Sequence, residues 1–401
     1  MNLSQKIDNS IDEFLAELID IRHDLHAHPE LGYNETRTNE VIQRELTNAG
    51  VTFVSGLAGG TGVLAHIDGE GTEAIGLRAD IDALPITEVN TFDWKSVHEG
   101  CMHACGHDGH TTILLGVAKV LSALSKESAL PSPVTLVFQP AEEGGGGGKR
   151  MVEDGCLDGS CIGSKVSVMY GLHGWPQAQA KHVSTRVGPV LASDIGVKIK
   201  IVGIGGHAAF PHFSCDPILC AANVITSMQQ IVSRNTDPLD SLVVSLTQIH
   251  GGTTHNIIPS SVDITGTIRF LQDPTGKMAK KRVKEISESI AAAHNCSAEV
   301  TLTDGYPVTR NDAGAVAQFF EIAKTVLQNE QVSEFPAPVM GGEDFSYYCK
   351  EVPSCFFMLG LLRDGEAQMP SLHQPDFDFN DEVIATGIKM FCELAVRYSG
   401  S

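Results

Sequence analysis

Apolar residues recur along this chain in two rhythms, and the change from one to the other marks its parts. Near the start, Ile7, Ile11, Phe14, Leu18 and Ile21 lie on roughly one face of a 3.6-residue period, which predicts an amphipathic helix. Short apolar runs then predict strands over Gly62–Ile67, Ala74–Ala79, Val134–Gln139 and Val166–Leu172. Between them, Ile113, Leu114, Val117, Val120, Leu121 and Leu124 return at helical spacing, predicting a helix over Thr111–Leu124. Strands alternating with helices indicate an α/β layer fold, with a central sheet flanked by helices.

After about residue 190 the pattern changes. Asp194–Val202 sets Val197, Ile199 and Ile201 against Lys198 and Lys200, the alternation of a half-buried strand. A helix follows, with Asp216 at its N-cap and Pro217 at its first position. Strands Ser241–His250 and Ser261–Leu271, a helix over about Lys277–Ala293 and a strand Ser297–Thr303 complete a β-α-β-β-α-β series, the ferredoxin-like order. Residues 190–305 thus read as a compact α+β domain inserted into a first domain made of 1–189 and 306–401. The α/β pattern resumes with helix Ala315–Leu327 and strand Cys355–Leu361.

A length of 401 residues agrees with two cores. The net charge of −21 disfavours nucleic acid and anionic lipid as partners. No apolar run reaches the length needed to span a bilayer, and the N-terminal stretch lacks the basic and apolar regions of a secretory leader. Ten cysteines without any CxxC pair fit a reducing compartment, so a cytoplasmic location is expected.

Chemistry-bearing residues gather where strands of an open α/β sheet end. Cys101–His110, CMHACGHDGH, holds two cysteines, three histidines and an aspartate, all metal-ligand types, and its internal spacing does not decide which of them are ligands. Glu142 and Glu143 follow strand Val134–Gln139, His173 follows Val166–Leu172, and His373 comes a short loop after Cys355–Leu361. In a carboxylate pair, one member can hold a cation while its neighbour takes a proton from water activated there. Two glycine motifs are decoys. GIGGHA at Gly203–Ala208 fits a dinucleotide fingerprint, but its preceding strand alternates with lysines and no helix opens at once. Gly144–Gly148 lacks the Lys-Ser/Thr of a phosphate loop and reads as a mobile loop beside the site.

RHDLHAHPELGYNETRT, LRADIDALPI, MHACGHDGHT, FQPAEEGGGGGKRM, GLHGWP, GGHAAFPH, HNIIPS, GGEDFSYY and SLHQPDF occur in this order. Together they resemble the M20 metallopeptidase family, specifically its amidohydrolase branch of aminoacylase-like, hippurate hydrolase-like and indole-3-acetyl-amino-acid hydrolase-like enzymes. The resemblance implies a catalytic α/β domain with an inserted lid that also dimerises, and hydrolysis of an N-acyl amino acid to a carboxylate and a free amino acid. It implies Cys105, His107, Glu143, His173 and His373 as ligands of two divalent metal ions, of which zinc, manganese, cobalt and nickel suit such donors. It implies Glu142 as general base and His207 as an oxyanion-stabilising group reaching a neighbouring subunit. Asn256 and Arg269 are implied as binders of the substrate carboxylate. Cys101, His103 and His110 are then supporting or packing residues, and Asp108 is a candidate for orienting a ligand histidine. Arg310 stands where relatives carry an apolar residue. The competing expectations are a non-catalytic metal-containing protein that binds acyl amino acids, a dipeptidase, and a nucleotide-binding enzyme using GIGGHA.

Overall fold

The computed structural model describes residues 2–398. The strands of its two main sheets are, in chain order, β1 (Thr52–Leu57), β2 (Gly62–Ile67), β3 (Ala74–Asp80), β4 (Val134–Gln139), β5 (Val166–Gln179), β6 (Val183–Thr185), β7 (Ser193–Val202), β8 (Leu242–Gly251), β9 (Ser261–Phe270), β10 (Ser297–Asp304), β11 (Val332–Glu334) and β12 (Ser354–Leu362). The α-helices are α1 (Leu3–Ala27), α2 (Thr36–Ala49), α3 (His107–Glu127), α4 (Gly147–Glu153), α5 (Pro217–Gln230), α6 (Asp273–Ala293), α7 (Ala313–Val326), α8 (Ser346–Glu351) and α9 (Ile384–Arg397).

Two compact units emerge, one of residues 1–190, 310–337 and 344–401, the other of 191–309 and 338–343. The first is built on an eight-stranded sheet in the order β1-β2-β4-β3-β5-β12-β6-β11. It is mixed: β3 runs parallel to β4 and β5, and β12 parallel to β5, while β2 is antiparallel to both β1 and β4. β2, β3 and β4 are buried at every position, as continuous apolar central strands should be. α1 buries Ile7, Ile11, Leu18 and Ile21, the stripe that its sequence period marks. α3 is buried nearly all round. Its Gly109 lies under Phe379, whose ring atoms would stand 2.5 Å from an added Cβ, so the close approach requires glycine.

The second unit has a four-stranded antiparallel sheet, β8-β9-β7-β10, carrying α5 and α6. With β7 as first strand and β10 as last, this is the ferredoxin-like arrangement expected from the element order. β7 alternates buried and more exposed positions as its lysines predict. The Asp216 carboxylate accepts from the amides of Ile218 (2.8 Å) and Leu219 (3.4 Å), and Pro217 opens α5, so the N-cap reading holds.

Three boundaries differ from expectation in ways that matter for the site. α3 begins at His107 rather than Thr111, so the histidine-rich stretch runs into the helix. β3 continues to Asp80, and β5 runs on to Gln179, so His173 lies inside a strand rather than after it. β5 is carried that far by β12, which pairs beside it from Ser354↔Met169 to Gly360↔Trp175.

Candidate active site and metal centre

Four segments of the first unit converge. Gly106, at φ 86° in the left-handed region, turns the chain so that Cys105 faces inward while His107 opens α3. Glu142 and Glu143 sit just past the end of β4, His173 lies in β5, and His373, at φ 65°, lies on the loop after β12. That loop is tied to the histidine-rich stretch by the His373 amide, which donates to the Ala104 carbonyl at 2.8 Å.

The donor atoms of Cys105, His107 and His173 fall within 4.8 Å of one another, as do those of Cys105, Glu143 and His373, and those of His107, Glu142 and Glu143. Cys105 Sγ stands 3.4 Å from His173 Nε2, and His373 Nε2 stands 3.1 Å from Glu143 Oε1. All six residues named from the motifs are therefore brought to one place, with Cys105, His107 and Glu143 each common to two of these groups.

Hydrogen bonds around the cluster fix which ring nitrogens face it. His107 donates from Nδ1 to Asp82 Oδ1 at 3.2 Å, which leaves its buried Nε2 without a hydrogen-bond partner. His173 donates from Nδ1 to the Gly174 carbonyl at 2.8 Å and turns Nε2 toward Cys105. His110 has both nitrogens engaged: Nδ1 donates to Asp80 Oδ1 at 2.6 Å, and Nε2 accepts the Gly174 amide at 2.9 Å. Both of its nitrogens are thus occupied by protein partners. His103 is buried and held neutral by that burial, its pKa lowered to about 3.

Asp82 does two jobs. Its Oδ1 accepts from His107 Nδ1, and its Oδ2 accepts the Glu143 amide at 2.9 Å, so one carboxylate orients two members of the cluster. Asp108, the candidate for orienting a ligand, is engaged elsewhere: its Oδ2 accepts from Arg22 Nε at 3.0 Å and from His26 Nδ1 at 2.8 Å. Asp80 pairs with Arg78 at 2.7 Å, and Arg78 reaches Asp344 at 2.9 Å, all fully buried. Sequence reasoning passed over Asp80, Asp82 and Arg78 as functional residues. Their signal was present in LRADIDALPI, where charged residues interrupt a strand that is otherwise continuous and apolar.

The field at the cluster is that of a cation site. Burial depresses the pKa of His107, yet Asp80, Asp82 and Glu143 together hold it up at about 10. Burial pushes the Cys105 thiol well up, and Glu143, Glu142 and Asp80 push it further. Burial holds His173 neutral, its pKa lowered to about 3, with His110 adding to the effect. Imidazoles, carboxylates and a thiol gathered in one buried place, with the buried Nε2 of His107 left without a hydrogen-bond partner, fit divalent transition metal ions.

The family model for peptidase family M20/M25/M40 matches residues 76–397. The chain belongs to the M20 family. It is 41% identical over 391 residues to IAA-amino acid hydrolase ILR1-like 4 of Arabidopsis thaliana, covering 96% of this chain and 86% of that one. It is 39% identical over 383 residues to N-acetyl-L-cysteine deacetylase of Bacillus subtilis (strain 168), covering 95% and 88%. Among solved structures it resembles the YXEP protein of Bacillus subtilis, a dinuclear metal binding peptidase from the M20 family, with a TM-score of 0.82, 32% identity, and 96% and 98% of the two chains covered. This M20 chain is accordingly an amidohydrolase-type hydrolase with a dinuclear metal centre.

The second unit holds the other three candidates. His207 lies on a two-residue strand, Gly206–His207, paired with Ile257–Ile258. Its Nδ1 accepts the Ala209 amide at 3.1 Å, and the Ala208 amide donates to the Asn256 carbonyl at 3.0 Å, which brings His207 and Asn256 onto one exposed patch. The GIGGHA glycines thus lead into this strand pair and open no helix. Arg269, on β9, donates from Nε to Thr267 Oγ1 at 3.1 Å. Among the described residues, no helix is long and apolar enough to cross a membrane.

Proposed function

We propose that this M20 hydrolase cleaves the amide bond of N-acyl amino acids, releasing a carboxylate and a free amino acid. One observation carries the reading: the Glu142 carboxylate lies within 4.8 Å of donor atoms of His107 and Glu143, at the place where Cys105, His173 and His373 also converge. Cys105, His107, Glu143, His173 and His373 would hold two divalent ions, with manganese, zinc, cobalt and nickel all compatible with their donors. Such ions, when bound, polarise an amide carbonyl and make water acidic enough to use near neutral pH.

Glu142 takes the proton from the attacking water, whose oxygen forms the new bond to the carbonyl carbon. The same carboxyl then gives its proton to the amide nitrogen as the C–N bond breaks, so the base is regenerated. His207 of the partner subunit donates to the carbonyl oxygen as charge develops there. Asn256 and Arg269 receive the free carboxylate of the amino-acid half, for which a guanidinium fork is suited. In this reading, residues 1–189 and 306–401 form the catalytic domain, and 190–305 form a lid that also joins two copies into a dimer. Ten cysteines that stay unpaired support a reducing, cytoplasmic setting.

The test is release of free amine from acetyl, benzoyl and indole-acetyl amino acids by protein reloaded separately with zinc, manganese, cobalt or nickel. Hydrolysis abolished by a chelator is expected. Glu142→Gln should lower kcat by about 10²- to 10⁴-fold with metal stoichiometry kept. Near-normal turnover in that variant would remove Glu142 as the base. Binding of the same compounds without cleavage by the unaltered protein would favour a binding protein.

A further inference from the structure

The Glu142–Glu143 corner begins at Ala141, a fully buried residue held at φ 52°, in the left-handed region that a side chain with a Cβ avoids. A backbone outlier directly before a reacting carboxylate needs something to hold it there. Both peptide groups of Ala141 are held. Its amide donates to Glu35 Oε1 at 2.8 Å, and its carbonyl accepts the Gly147 amide at 3.1 Å. Glu35 is fully buried, and its other oxygen accepts Thr61 Oγ1 at 2.7 Å. It stands at the N-cap of α2, where its side chain makes no capping bond to the helix. The Glu30 carboxylate instead accepts the first-turn amides of Arg37 (3.0 Å) and Thr38 (2.8 Å), so the buried Glu35 carboxylate is not needed as a cap and serves a loop amide 106 positions away. Beyond the pair, the Glu143 amide is fixed by Asp82, and the Gly144 amide donates to the Glu142 carbonyl at 2.7 Å. Among the described residues, Glu35 is the side chain that accepts the Ala141 amide, while Gln139 Nε2 holds the preceding Pro140 carbonyl at 3.2 Å.

We propose that Glu35 is a positioning residue for the hydrolytic reaction: by gripping the Ala141 amide it keeps that residue left-handed and so aims the Glu142 carboxylate. This rests on Glu142 being the base. Without the grip, Ala141 relaxes toward an ordinary backbone conformation and swings Glu142 away, whereas the metal-holding side chains of Cys105, His107, His173 and His373 are anchored by other contacts. The defect is therefore one of turnover rather than of substrate affinity.

The experiment compares Glu35→Met, Glu35→Asp and Glu35→Gln in the metal-loaded, full-length protein, using whichever N-acyl amino acid of the panel is turned over. Glu35→Met should lower kcat by about 10²-fold, the cost of a misplacement of about 1 Å, with KM and the calorimetric manganese stoichiometry held. Glu35→Asp, which keeps the charge but withdraws it by one methylene, should lose less and guards against a Met variant that does not fold. Glu35→Gln keeps an acceptor for the Ala141 amide and should retain most of the turnover. The decisive step is Ala141→Gly added to Glu35→Met or Glu35→Asp. Glycine accepts the left-handed conformation freely, so part of the lost kcat should return. Unchanged kcat in Glu35→Met and Glu35→Asp, or a loss that Ala141→Gly does not relieve, overturns the proposal. If Glu142→Gln is itself active, the base assignment has failed instead, and the Glu35 variants then have nothing to position.

Discussion

Replacing Asp82 by asparagine tests how the metal centre is oriented, because that carboxylate serves two donors with two oxygens. Its Oδ1 accepts from His107 Nδ1 at 3.2 Å and its Oδ2 from the Glu143 amide at 2.9 Å. An asparagine keeps the shape but offers one acceptor and one NH₂ group. The backbone amide cannot change its nature, so the asparagine oxygen turns to Glu143 and the NH₂ faces His107 Nδ1. The imidazole can meet a donor there only by moving its proton to Nε2, the atom that faces the cluster and has no hydrogen-bond partner. A metal would then compete with that proton. Loss of such an orienting partner weakens metal affinity by about 10- to 100-fold, which is about 1.4–2.7 kcal/mol. Calorimetric titration of manganese into metal-stripped Asp82→Asn and unaltered protein, at one pH, measures it directly. Asp82→Ala, which also frees the Glu143 amide, should be worse. Wild-type manganese affinity in Asp82→Asn would refute the argument.

His26 is buried between Asp108 and Glu88, donating to one at 2.8 Å and to the other at 3.2 Å; burial opposes its charge, but these carboxylates prevail and raise its pKa from 6.5 to about 9. Its ionised form should therefore add roughly 3 kcal/mol at pH below 6.5, lost as pH rises through 9, so the urea-midpoint gap to His26→Gln should shrink with pH; a widening gap contradicts this. At Gly147 an added Cβ would meet the Pro140 carbonyl oxygen at 1.7 Å, a backbone atom that cannot step aside cheaply. Gly147→Ala should cost about 1–3 kcal/mol and lower kcat, read by thermal melting and amine release, and a neutral outcome would show the loop to be more yielding than its contacts imply. Stripping the metals should lower the melting temperature of the first unit, with manganese restoring it in a concentration-dependent way, because an ion that binds only the folded form stabilises it.

Much of this site was legible from residue type and place. Residue type and strand ends marked the Cys101–His110 stretch, Glu142, Glu143, His173 and His373, and the family resemblance singled out Cys105 and His107 within that stretch. What the sequence concealed depends on contacts between distant segments. Asp82 meets Glu143 61 positions away, and Glu35 meets Ala141 106 positions away, distances over which local periodicity carries no information. Asp108 was a candidate for orienting a ligand histidine, but on a helix it does not face its neighbour His107, and Arg22 and His26 of α1 claim it. Boundaries went astray for the same reason. Gly109 lowers local helix preference, so α3 appeared to start at Thr111, yet the packing of Phe379 against that glycine favours the helix there. Pro176 and the polar residues after it argue against a strand, but β12 pairs alongside and extends β5 past His173.

The strand order of the first unit also sets a timetable. β5 and β6 are separated in the sheet by β12, a strand made of residues 354–362, almost at the end of the chain. As synthesis proceeds from the N-terminus, β1 to β5 can pair early, while the gap between β5 and β6 waits for nearly the whole polypeptide to emerge. The intervening 191–309 unit, with its own core, is complete well before that. Such a long-range closure is slow and leaves strand edges open in the meantime. Cys105, His107, Glu143 and His173 are all synthesised before the gap is filled, and His373 arrives only after it. A ribosome-bound chain truncated before residue 354 should therefore lack the part of the sheet that β12 joins and the full ligand set, so that loading with metal becomes one of the last events in the making of the enzyme.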